Sequence, residues 1–132
     1  MKRNFITLIL CMFTICVLTV NCNAQSDPRI YVILQSSKNC EVCNDNFSRW
    51  NSDVYGYYSQ KDPSIVFINY DATDDNTRAA SKKDLDRYGI GNISDASYGP
   101  GSIIVVDAAT KQVIGTSSMD AGTKDIRKLI GE

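Results

Sequence analysis

The stretch Ser37-Lys-Asn-Cys40-Glu-Val-Cys43-Asn-Asp45 decides the fold, because its two cysteines in C-x-x-C spacing separate a strand pattern from a helix pattern. The uninterrupted apolar run Ile30–Leu34 comes before them and is typical of a strand buried on both faces. After them, apolar side chains recur at helical spacing, which predicts one buried helix face formed by Cys43, Phe47, Trp50, Val54 and Tyr57. Cys43 is therefore expected in the core, and Cys40 at the first turn of the helix.

The N-terminus of a helix is a favourable place for a reactive thiol. Its unpaired N–H groups and its macrodipole favour the thiolate form of a cysteine such as Cys40. Cys43 stands three residues further on and is close enough to resolve a mixed disulfide. We therefore interpret Cys40 as a nucleophile and Cys43 as the resolving thiol.

Other interpretations of the cysteine pair compete with this one. A zinc site needs about four ligands, and the chain contains no histidine. Attachment of c-type haem needs C-x-x-C-H, whereas Asn44 follows Cys43 here. A Cu(I) site and an inert structural disulfide stay open, although a bridge across so short a loop restrains the unfolded chain little. We predict no resident metal and no cofactor.

The N-terminal region reads as an export signal. Two basic residues in Met1–Asn4 are followed by the apolar run Phe5–Val20 and by the small-residue sequence Cys22–Ala24. The apolar run is shorter than the about 20 residues that a membrane span needs. We expect a signal peptide at 1–24 and a mature domain at 25–132, located in the periplasm or the extracellular space. The alternative is lipoprotein processing at Cys22, which would tether the protein to a membrane.

Composition narrows the function further. Cleavage after residue 24 leaves Cys40 and Cys43 as the only cysteines. One pair is too few for the class of small secreted domains whose fold depends on several disulfides. The whole chain has 132 residues and a net charge of −1, without a basic cluster, so nucleic acid and anionic membrane surfaces are poor partners. A mature chain of this length supports one hydrophobic core.

Patterns along the mature chain predict the order β-α-β-α-β-β-α around a four-stranded mixed sheet, an α/β architecture. The predicted buried positions include Ala80, Leu85 and Tyr88 in the second helix. The predicted elements are strands at 30–34, 64–70, 102–106 and 112–115, and helices from 39 or 40 to 59, from 77 to 88 and from 122 to 130.

This order resembles the thioredoxin superfamily over nearly all of the mature chain. The resemblance rests on Cys40-Glu-Val-Cys43 after the first strand, Tyr88-Gly-Ile90 after the second helix and Pro100 before the third strand. It implies that the peptide bond before Pro100 is cis and that Pro100 packs against the disulfide. It also implies that the backbone of Gly99 pairs with bound substrate, with Tyr98 a candidate for the groove wall.

The chain also departs from that family. Thioredoxins place Trp before the first cysteine and Gly-Pro between the two, where this chain has Asn39 and Glu41-Val42. The buried Asp and Lys that serve the second cysteine of thioredoxins correspond to Leu34 and Phe67. The carboxylate of Glu41 disfavours a neighbouring thiolate, so we interpret Glu41 and Val42 as residues that set the redox poise towards the reducing side.

We therefore expect an exported thiol–disulfide oxidoreductase of the reductase or isomerase type. Its partners would be protein or small-molecule disulfides and thiols, with a further redox protein upstream. Trp50 is a second candidate for the groove wall, although its helical spacing favours core packing. The alternatives are a thioredoxin-fold binding module with an inert or regulatory disulfide, and a Cu(I) carrier.

Overall fold

A computed structural model describes residues 27–95 and 98–132 of the chain. The expected signal peptide, the cleavage site before Gln25 and the alternative lipidation site Cys22 lie outside the described residues. The four strands are β1 Ile30–Ser36, β2 Ile65–Asp71, β3 Ser102–Asp107 and β4 Val113–Ser118. The helices are α1 Glu41–Arg49, a π-helical segment Trp50–Tyr55, α2 Gly56–Ser59, α3 Asp75–Arg87, a 3-10 turn Gly91–Asp95 and α4 Thr123–Ile130.

The strands form one mixed sheet in the order β2-β1-β3-β4. β1 pairs with β2 in parallel and with β3 in antiparallel, and β3 pairs with β4 in antiparallel. The α1–π–α2 helix connects the two parallel strands, as a crossover connection must. The predicted α/β architecture and thioredoxin-like fold are confirmed by this order and these directions.

Both faces of the sheet are covered, and β1 contributes to both. Its alternate side chains divide between two hydrophobic clusters, because successive residues of a strand point to opposite faces. The α1-side cluster contains Ile30, Val32, Leu34, Cys43, Trp50, Val54, Tyr58, Ile65, Ile103, Val105, Met119, Ile126 and Ile130. The α3-side cluster contains Tyr31, Ile33, Ile68, Tyr70, Leu85, Ile90, Ile93, Ile104, Val106 and Ala108. Each large apolar side chain buried in this way stabilises the fold by about 1.5–3 kcal/mol.

The helix after the cysteines contains a π-helical segment, which the periodicity did not predict. The N–H of Gly56 donates to the carbonyl of Asn51, five residues back. A Cβ at residue 56 would lie 2.8 Å from that oxygen, so the close approach requires glycine. Arg127 of α4 secures the segment, because its Nε and Nη2 donate to the carbonyl of Asp53 at 2.9 and 2.7 Å.

This segment shifts the buried face of the helix. Beyond it, Tyr58 is buried and Tyr57 is only half-buried, since an i→i+5 turn contains one residue more than an α-turn. Burial also raises the pKa of Tyr58. The prediction that Phe47 is buried is wrong, because 51% of it is exposed. Phe47 projects beside β2, where the sheet ends, and no further strand covers it within residues 27–95 and 98–132.

Helix α3 begins two residues before its predicted start. Asp74 and Thr77 form a capping box at its N-terminus. The prediction that Ala80 is buried is wrong, because the buried face of α3 carries Ser81 and Leu85. The hydroxyl of Ser81 accepts a hydrogen bond from the N–H of Asp71 at 2.9 Å, which explains a buried polar side chain at this position.

The peptide bond before Pro100 is trans, since no described peptide bond is cis. The expectation of a cis proline is therefore wrong. Ser102 N–H donates to the carbonyl of Gly99 at 3.1 Å, and Gly101 has a φ of 94°. A proline followed by a residue with positive φ is the pattern of a type II turn, in which a trans proline fits the second position and glycine the third.

Candidate redox site

The cysteine pair lies at the junction of β1 and α1. A turn after β1 is closed by a hydrogen bond of 3.1 Å from the N–H of Cys40 to the carbonyl of Ser37. Cys40 is the N-cap of α1, with extended backbone angles, and its carbonyl accepts the N–H of Asn44 at 3.1 Å. The sequence thus places the first cysteine where the helix has free N–H donors.

The two cysteines are joined by a disulfide, with their Cα atoms 5.2 Å apart. Cys40 is half-buried, whereas only 3% of Cys43 is exposed. The sulfur of Cys40 accepts the N–H of Cys43 at 3.1 Å. That donor and the helix macrodipole favour negative charge on Cys40 when the bridge opens. Cys40 is therefore the sulfur that a partner reaches, and Cys43 is the sulfur held inside.

Gly101 lies against the disulfide, and the sequence analysis did not identify it. A Cβ built on Gly101 would lie 3.7 Å from Sγ of Cys40 and 3.4 Å from Cγ1 of Val42. The N–H of Gly101 donates to the carbonyl of Gln35 at 2.7 Å, and Sγ of Cys43 lies 4.0 Å from the same oxygen. The resemblance implied that Pro100 packs against the disulfide, but the residue that lies there is the next one, Gly101. The signal in the sequence was a glycine directly before the third strand.

The three residues expected to bind substrate lie around this turn. Pro100 and Gly99 are exposed, and a Cβ on Gly99 would meet nothing within 4 Å. Tyr98 is half-buried and packs against the α3-side cluster, whereas Cys43 belongs to the α1-side cluster. The roles of Tyr98, Gly99 and Pro100 in substrate binding stay predictions.

The residues between the cysteines are at the surface. Glu41 is exposed in the first turn of α1, and 36% of Val42 is exposed beside Gly101. The side chain of Asn46 donates to the carbonyl of Val42 at 2.9 Å. Glu41 and Val42 both lie close enough to the disulfide to influence its reduction potential. Their role in setting this potential stays a prediction.

The residues at the expected acid/base positions are packed in apolar surroundings. Leu34 is buried in the α1-side cluster, and Phe67 packs against that cluster with its ring edge-on to Trp50 at a centroid distance of 6.0 Å. Neither position can transfer a proton to or from Cys43. Trp50 is 6% exposed, so the prediction that it packs in the core is confirmed.

Two properties of the described residues bear on metal binding and on membrane insertion. Within residues 27–95 and 98–132, no group of three or more His, Cys, Asp or Glu side chains is arranged to hold a metal ion. None of the helices in the same part of the chain has the length and apolar character that crossing a membrane requires.

No family model matches the chain, and no curated protein matches its sequence. Some solved structures are similar in fold. Trxlp from Edwardsiella tarda EIB202 has a TM-score of 0.49 and 11% identity, over 83% of this chain and 88% of that one. A protein described as a candidate disulfide isomerase, from Bacteroides thetaiotaomicron, has a TM-score of 0.47 and 11% identity, over 80% and 76%. A DsbH oxidoreductase has a TM-score of 0.46 and 8% identity, over 78% and 73%. Likeness at this level carries no conclusion about activity.

Proposed function

We propose that this protein is an exported thiol–disulfide oxidoreductase that reduces or isomerises disulfides of protein substrates. One observation carries the proposal: the Cys40–Cys43 disulfide lies at the N-terminus of α1, with Cys40 accessible and Cys43 buried. An inert bridge gains nothing from this asymmetry, whereas exchange needs one accessible sulfur and one protected sulfur within reach.

The reduced pair would act in two displacement steps. The thiolate of Cys40 attacks a substrate disulfide, forms a mixed disulfide and releases the first substrate thiolate, which takes a proton from solvent. Cys43 then loses its proton and attacks Sγ of Cys40, which re-forms the Cys40–Cys43 bridge and releases the second substrate thiol. The substrate gains two electrons and the cysteine pair loses two, so an upstream thiol donor must reduce the pair again.

The surroundings of the pair support further roles. The backbone of Gly99 would pair with the bound substrate, and the ring of Pro100 would shape the groove beside it. Tyr98 would form part of the groove wall. The carboxylate of Glu41 would hold the poise on the reducing side, because it disfavours the thiolate and so disfavours the reduced state. The proton of Cys43 would pass to solvent rather than to a side chain at position 34 or 67.

A second candidate function is a binding module whose disulfide is inert. The nearly complete burial of Cys43 and the apolar residues Leu34 and Phe67 favour it, because no charged side chain at these two positions assists the resolving step. Redox cycling separates the two functions. An oxidoreductase equilibrates with a glutathione buffer at a defined potential, whereas an inert bridge resists reduction until the fold is denatured.

Cysteine variants test the proposed mechanism. Cys40→Ser should abolish turnover of a disulfide-bonded peptide, and Cys43→Ser should accumulate a mixed disulfide between Cys40 and the peptide. Intact mass spectrometry measures the adduct, and dithiothreitol should release it. Turnover by Cys43→Ser at the parent rate would show that Cys43 does not resolve the intermediate.

Export has its own test. The N-terminal composition supports a mature chain that begins at Gln25. The intact mass and N-terminal sequence of the exported protein would identify the cleavage site. If the first residue were instead a diacylglycerol-modified Cys22, the protein would be tethered to a membrane and would not diffuse freely.

A further inference from the structure

An apolar cavity lies between α1, the π-helical segment and the strands β1 and β2. It has a volume of about 200 Å³ and is lined by Leu34, Phe47, Trp50, Tyr55, Phe67 and Asn69, among others. Phe47 is 51% exposed and Tyr55 is 46% exposed, although both are large and apolar. Among the described residues, no charged side chain lines the cavity. Ligand sites for small molecules commonly measure roughly 300–1,000 Å³, so this cavity suits one side chain better than a whole ligand.

The cavity opens at a strand edge. β2 is the outer strand of the described sheet. The N–H of Ala72 donates to the carbonyl of Ser36 in β1 at 2.7 Å. Because main-chain groups alternate in direction along a strand, the N–H and C=O groups of Phe67 and Asn69 point away from β1. Among the described hydrogen bonds, none occupies these outward groups.

A second cavity lies on the opposite face of the same edge. It has a volume of about 350 Å³ and shares Phe67 and Asn69 with the apolar cavity, but it is also lined by Asp84 and Arg87 of α3. The carboxylate of Asp84 and the guanidinium of Arg87 form an ion pair at 2.9 Å, with both side chains largely exposed. An extended peptide directs alternate side chains to opposite faces. The edge therefore has an apolar cavity for one set of side chains and a polar cavity for the other.

The apolar cavity is also continuous with the redox site. A third cavity, of about 290 Å³, is lined by Cys43 and Asn44 and shares Phe47 and Asn69 with the first. The third cavity reaches the disulfide on its Cys43 side, and Cys43 is bonded to Cys40. A substrate held in a mixed disulfide with Cys40 would have to pass Cys43 to follow Phe47 to the edge of β2. This continuity favours a segment of the disulfide substrate as the occupant over an unrelated partner.

We infer that the edge of β2 binds an extended peptide segment of the disulfide substrate, with an aromatic or large aliphatic side chain in the cavity beside Phe47. The inference rests on the proposed function, because it assigns the edge to the same substrate. Main-chain hydrogen bonds to Phe67 and Asn69 provide affinity, and the cavity provides side-chain preference, as in other cases of strand addition.

A matched peptide series tests this site with the purified protein. Each peptide carries one cysteine in a mixed disulfide with glutathione, in a Ser/Ala/Lys host, and a single Phe is moved through the positions on both sides of the cysteine. We expect kcat/KM to rise at least about tenfold over the Ser peptide, which is the scale of burying one large apolar side chain. The rise should peak at one position and be absent at the positions next to it, because the cavity holds one side chain and adjacent side chains of an extended peptide face opposite sides of the edge.

Main-chain pairing is tested with N-methylated versions of the best peptide. Methylation of alternate amides should remove the gain, and methylation of the intervening amides should leave it, because only one set of amides faces β2. Phe47→Ala should reduce the ratio of kcat/KM between the Phe and Ser peptides to near one. Ile114→Ala is the matched control, since Ile114 is 57% exposed on β4 at the other edge of the sheet, and this variant should keep the parent ratio.

Three results would overturn the inference. A flat response to the position of Phe, with normal turnover of hydroxyethyl disulfide, would show that the edge binds no side chain while the proposed function stands. Failure to turn over hydroxyethyl disulfide as well would refute the proposed function itself. A stable dimer in sedimentation velocity that Phe47→Ala dissociates would show that the occupant is a second copy of this chain.

Discussion

Replacing Gly101 by alanine perturbs the residue that lies against the disulfide. Gly101 has a φ of 94°, in the region that L-residues with a Cβ rarely adopt. The added Cβ would lie 3.7 Å from Sγ of Cys40, an ordinary contact, and 3.4 Å from Cγ1 of Val42, which is partly exposed and can move by the few tenths of an ångström required. Backbone strain therefore dominates over steric overlap.

The magnitude follows from that strain. A residue with a Cβ held at positive φ costs about 1–2 kcal/mol. For a domain of this size, each kcal/mol lowers the melting temperature by about 4–8 °C. We therefore expect Gly101→Ala to lower the free energy of unfolding of the oxidised protein by about 1–2 kcal/mol. The added methyl should also slow reduction by dithiothreitol, because it covers part of the accessible sulfur of Cys40.

Urea denaturation of the oxidised protein measures the stability change, and the loss of the disulfide in dithiothreitol measures the rate. Gly99→Ala is the matched control, two residues away. Gly99 does not have a positive φ, and a Cβ there would meet nothing within 4 Å. We expect this control to be neutral or stabilising by up to about 1 kcal/mol, through the lower entropy of its unfolded chain. Equal denaturation midpoints for the two variants would refute the reasoning.

Three further predictions concern pH, packing and poise. The hydrogen bond from the Ser64 side chain lowers the pKa of Asp62. The ionised carboxylate therefore stabilises the fold above its unfolded pKa, and this stabilisation is lost as the pH falls through the lower pKa of the folded state. Asp62→Asn should weaken the acid dependence of the free energy of unfolding, measured by urea titrations between pH 7 and pH 2. Gly115→Ala should destabilise by about 1–3 kcal/mol by overpacking, since its Cβ would lie within van der Waals overlap of Leu129, and Leu129→Ala in the same chain should recover part of the loss in a double-mutant cycle. Glu41→His should make the cysteine pair more oxidising in glutathione equilibration, because a like charge beside the attacking sulfur is removed.

Each of these predictions has a contradicting outcome. An Asp62→Asn profile parallel to the parent profile across the acid range would show that this carboxyl titrates alike in the folded and unfolded chains. Additive effects of the substitutions at Gly115 and Leu129 would show that the two positions do not compete for space. An unchanged or more reducing potential in Glu41→His would mean that groups distant in sequence set the poise, and Glu41→Gln separates the loss of charge from the imidazole.

Much of the fold could be predicted from local patterns. The run Ile30–Leu34 is buried along its whole length, as its lack of polar interruption indicated. The first helix was predicted to begin at residue 39 or 40, and it begins at Glu41 with Cys40 as its N-cap. Strand β4 was predicted as 112–115 but continues to Ser118, because Ser118 pairs with Ser102 of β3 and pairing across strands is not visible in one segment.

The sequence predicted the place of the cysteine pair, but it did not predict that Gly101 lies against the disulfide or that Phe47 is exposed. The sequence by itself determined that two cysteines stand at the start of a helix after a buried strand, because hydrophobic periodicity and helix-end chemistry are local properties of the chain. Only the tertiary structure decided that Gly101 lies against the sulfur and that Phe47 faces the open edge of β2. Both depend on which segments meet in space: the turn before β3 is fixed by its hydrogen bond to Gln35 of β1, and the exposure of Phe47 by where the sheet ends.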